Sequence, residues 1–84
     1  MNKSKNKSKA TEKVVEKPKF KPYVVEIIAD KTVIYGEASA ESAFVDYVYK
    51  NRAYTIVAED KGFGKLKSGA GWIFLEDTKL VRYV

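Results

Sequence analysis

The stretch Lys65-Leu66-Lys67-Ser68-Gly69-Ala70-Gly71-Trp72-Ile73 puts two lysines and a serine ahead of two glycines and the only tryptophan. Three chemistries suit such a mixture: a backbone cradle for phosphate, a serine nucleophile, or a hairpin turn with a large apolar anchor. A phosphate loop needs a strand before it, a helix after it, and a Lys-Ser/Thr pair closing the glycine run. Here Lys67-Ser68 precede the glycines, and Trp72-Ile73-Phe74-Leu75 has strand composition. A serine nucleophile needs a base, and the chain has neither His nor Cys. That leaves only Lys65 or Lys67 for the role, neither of them desolvated in a hairpin turn. The carboxylate pairs Glu59-Asp60 and Glu76-Asp77 are adjacent in sequence and sit in turns, where carboxylates are ordinarily solvated. The stretch therefore reads as a hairpin. No catalytic constellation, metal site or cofactor is expected, and the chain reads as a non-enzyme.

The elements that would carry this hairpin follow from Phe20 onward, where β-branched and aromatic residues take over. Residues 23–29 read as a first strand. Residues 30–42, rich in Gly, Ala and Ser, read as a long, partly ordered loop. Residues 43–50 could place Phe44, Val45 and Val48 on one helical face, but the density of Phe, Val and Tyr favours a strand. Residues 53–58 alternate between two faces. A turn is expected at 59–62, with positive φ at Gly62. Strands over 63–67 and 72–75 flank the hairpin turn 68–71, and 79–84 follow a short turn at 76–78. Five to six short strands with glycine turns imply an all-β fold, a small barrel or sandwich.

Composition bounds the rest. Eighty-four residues suffice for one small domain, and without cysteine it must hold together by packing alone. The net charge of +5 lies wholly in residues 1–19, which hold seven Lys and two Glu; residues 20–84 carry nine of each sign. The basic pI of about 9.4 therefore describes the tail, not the domain. That tail has no aromatic residue and few apolar ones, so residues 1–19 read as a disordered Lys-rich linker and residues 20–84 as the domain. A solvated spacer is the default reading of the tail, with weak binding to an anionic surface as the alternative. No apolar run of signal-peptide or membrane-spanning length follows its basic start.

Residues 54–81 carry a more specific pattern. Tyr54-Thr55-Ile56-Val57, Gly62-Phe63-Gly64-Lys65-Leu66, Ser68-Gly69-Ala70-Gly71-Trp72-Ile73 and Thr78-Lys79 follow one another with set spacings. This run resembles the bacterial Src-homology-3-type (SH3-like) domain, most closely the C-terminal domains of clostridial cell-wall amidases and phage endolysins. Where that family carries a Leu-Asn-Val-Arg-Ser-Gly-Pro segment, this chain has Ala29–Ser39 with Tyr35, Gly36 and Glu37; Phe63 stands where a tryptophan is usual.

The resemblance implies a small SH3-like barrel and a targeting role. Such a module binds the peptide stems, cross-bridges or glycan of a Gram-positive peptidoglycan, and so holds an attached or partner hydrolase on the wall. It implies a location at the bacterial cell wall or outside the cell, or in the host cytoplasm before release if phage-encoded. The candidate groove comprises Tyr35, Glu37, Tyr47, Tyr49, Phe63, Lys65 and Trp72. Trp72 is expected chiefly as a core or hairpin anchor, with a ligand platform as the alternative. Tyr35 is expected to be exposed in its loop, lining the groove or packing on the loop. Tyr47 and Tyr49 share a strand face, Phe63 lines or edges the groove, and Lys65 and Lys67 point to solvent. Two other functions compete: an anionic-surface or nucleic-acid barrel using the basic tail, and a protein-interaction module of an endolysin. The neutral domain argues against specific nucleic-acid binding, and membrane insertion is not expected.

Overall fold

A computed structural model describes residues 20–84, so the linker expected over 1–19 lies outside the described residues. The described chain is all-β. Its strands are β1 (Tyr23–Ile27), β2 (Lys31–Tyr35), β3 (Phe44–Tyr49), β4 (Ala53–Asp60), β5 (Phe63–Leu66), β6 (Trp72–Phe74) and β7 (Thr78–Tyr83). A single 3-10 turn, Leu75–Asp77, separates the last two. All seven strands join one antiparallel sheet in the order β3–β2–β6–β5–β4–β1–β7.

Two short connections bend this sheet. β1 and β2 stand four places apart in the sheet order yet are linked by residues 28–30 alone; β3 and β4 are likewise four places apart and linked by residues 50–52. In a flat sheet four strand spacings are about 19 Å, beyond the roughly 14 Å that such a link can reach. The sheet must coil on itself. The two links meet where the coil closes: Asn51 N–H donates to the Ile27 carbonyl at 2.9 Å, and Lys50 N–H to the Asp30 carbonyl at 3.1 Å. Asn51 takes φ 72°, a left-handed conformation that asparagine tolerates. A further tie crosses the coiled sheet, from the buried Thr32 hydroxyl on β2 to Asp77 Oδ2 ahead of β7, at 2.7 Å.

The core inside the coil comes from strand alternation. Val25, Ile27, Ile34, Val48, Ile56, Leu66 and Ile73 form one buried cluster drawn from six strands, with Tyr23, Tyr54 and Leu75 packed at its margin. Gly64 faces the same interior, where a Cβ would press on Leu75 and Ile56.

Two sequence expectations need correction. Residues 30–42 are not one long loop, because Lys31–Tyr35 form β2. Thr32 and Ile34 point inward and alternate with Lys31, Val33 and Tyr35, a period-2 signal hidden by the small residues that follow. With β2 counted, the strands number seven. Glu59 and Asp60 also belong to β4, so the turn shrinks to Lys61-Gly62. Both residues have positive φ, 53° and 84°, the two-residue hairpin geometry whose twist matches its strands.

The hairpin 66–71 closes through Leu66 N–H to the Gly71 carbonyl and Gly69 N–H to the Leu66 carbonyl, each 2.9 Å. Ser68 Oγ accepts the Ala70 N–H at 3.2 Å, a turn bond. Gly71, at φ 148°, lies against β2: a Cβ there would run into the Tyr35 carbonyl oxygen and sit 2.9 Å from Ile34 Cγ2. Gly71→Ala is therefore expected to cost roughly 2–4 kcal/mol, from left-handed strain and overpacking together. Chemical denaturation checks this; an unchanged midpoint would show that β2 can move away from the turn.

Candidate functional site

The same alternation that points Ile73 and Leu66 inward sends their neighbours to the outer face. On β6 these are Trp72 and Phe74; on β5, Phe63 and Lys65. The pairs Phe63↔Phe74, Lys65↔Trp72 and Tyr35↔Trp72 place them side by side. Phe63 stacks on Phe74 with centroids 4.4 Å apart, and Tyr35 meets both edge-on at 5.7 and 5.9 Å. The offset and edge-to-face arrangements are those favoured by the ring quadrupoles. Lys65 Nζ lies 6.0 Å from the Trp72 ring, at the outer limit of a cation–π contact.

β3 extends this face across Tyr35. Register places Tyr35 opposite Phe44, Val33 opposite Tyr47 and Lys31 opposite Tyr49. A bulge at Val45 breaks simple alternation, so Phe44 comes out on the same side as Tyr47. Their rings are 5.1 Å apart, Tyr47 and Tyr49 follow at 6.4 Å, and Lys31 Nζ sits 4.3 Å over Tyr47. The result is an aromatic strip across β3, β2, β6 and β5, with lysines at Lys31 and Lys65.

Tyr35, Tyr47, Tyr49, Phe63, Lys65 and Trp72 thus share one outer face. Glu37 stands apart, exposed in the loop after β2, where its backbone N–H donates to Ser42 Oγ at 3.1 Å. That loop is compact: Ser42 Oγ in turn donates to the Ser39 carbonyl at 2.7 Å, and Ala38 is buried. Three placements correct the sequence reading. Trp72 is not the core anchor; it is half-buried on the outer face, and Ile73 takes the interior position. Tyr35 lies in a strand, half-buried between Phe63 and Phe74 rather than free in a loop. Phe63 is 5% exposed and so is the floor of the strip, not its edge.

Sequence reasoning overlooked Phe74, Phe44 and Lys31. Phe74 was within reach, since it lies two residues past Trp72 in the same strand. Phe44 was not, because alternation without the bulge sends it inward. Lys31 was lost with β2.

A second polar-aromatic centre lies at the other end of the sheet order. Tyr23 O–H donates to Glu59 Oε2, and the Tyr83 ring packs edge-on against Tyr23 at 6.0 Å. Burial, then the hydrogen bond and negative charge of Glu59, then Tyr83, push the Tyr23 phenol above the usual tyrosine range. Among the described residues no group of three or more His, Cys, Asp or Glu is placed to hold a metal, and no helix is long and apolar enough to cross a membrane. Comparison with protein-family models, curated proteins and solved structures finds no match in any of the three.

The raised Tyr23 phenol has a direct consequence for stability. Unfolded, it ionises near about pH 10; folded, it holds its proton longer. The folded state then binds more protons than the unfolded one, so stability falls as pH rises through about 10, and the contribution is complete below that. Melting temperatures taken between about pH 8 and pH 11 should drop more steeply for the wild type than for Tyr23→Phe. Parallel curves would show that Tyr23 does not carry the linkage.

Proposed function

We propose that this chain is a non-catalytic cell-wall-binding module, which targets an attached or partner peptidoglycan hydrolase to the wall of a Gram-positive bacterium. The observation that carries this reading is the strip formed by Phe44, Tyr47, Tyr49, Tyr35, Trp72 and Phe74 on one outer face. A monomer gains nothing in solubility by exposing rings: Phe44 is 58% and Tyr49 52% accessible. Flat aromatic faces suit the ring faces of a glycan and the planes of a peptide stem, and Lys31 and Lys65 can meet stem carboxylates. Each contact is weak, but a repetitive polymer offers many at once, which is how a shallow surface reaches useful avidity. The resemblance of residues 54–81 to bacterial SH3-like domains supports the same role.

Cosedimentation with purified sacculi tests the reading. Binding should persist between about 50 and 200 mM salt, because residues 20–84 carry no net charge and little counterion release accompanies binding. Binding that collapses over that range would transfer the role to the basic tail and an anionic surface.

Trp72 and Ile73 separate recognition from folding. Ile73→Ala empties a fully buried position and should cost about 2–5 kcal/mol. Trp72→Ala should destabilise less, yet weaken sacculus binding at least about fivefold, the order expected from losing one stacking partner. A Trp72→Ala protein that melts like Ile73→Ala, or binds like wild type, refutes the assignment of Trp72 to the binding face.

A further inference from the structure

Phe20, Tyr23, Tyr83 and Glu59 line an open cleft of about 810 Å³ between the start of β1 and the end of β7, away from the aromatic strip. Three of its walls are rings. Tyr23 stands in the middle, with Phe20 6.0 Å away at 41° and Tyr83 6.0 Å away at 69°. The rings are inclined to one another rather than stacked flat. Phe20 and Tyr83 are 41% and 62% exposed, apolar surface that a bound group would cover.

Glu59 gives this cleft its sign. It comes from β4, and the bulge at Val57 turns its side chain toward Tyr23 rather than away. The Tyr23 hydroxyl engages Oε2 and fixes the carboxylate beside the rings, which leaves Oε1 for another donor. Ring faces are regions of negative potential, and the carboxylate adds a full charge. Lys21 also lines the cleft, but it is Glu59 that the Tyr23 bond holds beside the rings, and for that fixed charge an anion or a neutral sugar is a poor complement. The complement is a cation, with enough hydrocarbon to cover the rings.

We propose that the cleft binds a primary alkylammonium group, such as a lysine-type side chain presented by a peptide. Its aliphatic stem lies against Phe20 and Tyr83, and its N–H groups donate to Glu59. Lys21 borders the same cleft and is the intramolecular competitor for that carboxylate. This site is independent of the outer aromatic strip and of wall binding through it.

The test is an NMR titration of the full chain with n-butylammonium, tetramethylammonium and n-butanol. Saturable shifts at Phe20, Tyr23, Glu59 and Tyr83 are expected with n-butylammonium, and several-fold weaker ones with the other two. Glu59→Gln should weaken n-butylammonium at least fivefold. Tyr83→Leu, at a residue 62% exposed, should weaken it also, with the melting temperature checking that the fold persists, while Lys21→Ala should tighten it. Equal affinity for n-butanol, equal affinity for tetramethylammonium, or indifference to Glu59→Gln would each overturn the assignment. Absence of saturable shifts in both wild type and Lys21→Ala would overturn it as well.

Discussion

Within the ladder of the sheet, β2 joins the other strands at one paired position, where Tyr35 at the end of β2 meets Trp72 at the start of β6. On one side of this joint lies the β2–β3 hairpin; on the other lie the remaining five strands. The approach is possible only because Gly71, one residue before Trp72, presents no Cβ to the Tyr35 carbonyl. With the joint made, Ile34 and Val48 are delivered to the core that β1, β4, β5 and β6 already share. Without it, the hairpin would be a two-stranded ribbon, marginal on its own in water.

The same joint builds the outer face. The Tyr35 ring contacts Phe63 and Phe74 on β5 and β6, and its register partner Phe44 begins the Phe44–Tyr47–Tyr49 group on β3. Packing on the two sides of the sheet is therefore coupled through one residue pair. The inner face buries branched aliphatic side chains, with Tyr23 and Tyr54 at the margin of that core. Phe63, Phe74 and Tyr35 lie on the outer side and shield one another, which explains why Phe63 is nearly inaccessible without belonging to the main core. A domain this small has little interior to spend on aromatics, and its chemistry moves to the surface as a result.

Charge is distributed with the same economy. The described domain is neutral, so attraction at a distance contributes little, and recognition must come from contact. Lys31 and Lys65 flank rings on the outer strip, whereas Glu59 flanks rings at the β1–β7 cleft. Two aromatic surfaces, one flanked by lysines and the other by a glutamate with Lys21 nearby, thus lie on different parts of one coiled sheet.

Much of this was legible in the residues themselves. The β-branched and aromatic composition of 23–27 and 72–74, the alternation in 53–58 and the glycines of the two hairpins pointed to an all-β domain with hairpin turns, because each is a local property of backbone or side chain. Which face each ring occupies was not local. The bulges at Val45 and Val57 reverse the sense of alternation for Phe44 and Glu59, and a bulge is set by the partner strand's register rather than by its own residues. Trp72 and Ile73 are both apolar enough for a core, and only the pairing of β6, which sets Ile73 opposite Gly64 and Trp72 opposite Lys65, decides that Ile73 points inward. The tertiary structure alone made the outer strip, since it joins β2, which the sequence disguised as a loop, to strands some forty residues further along the chain.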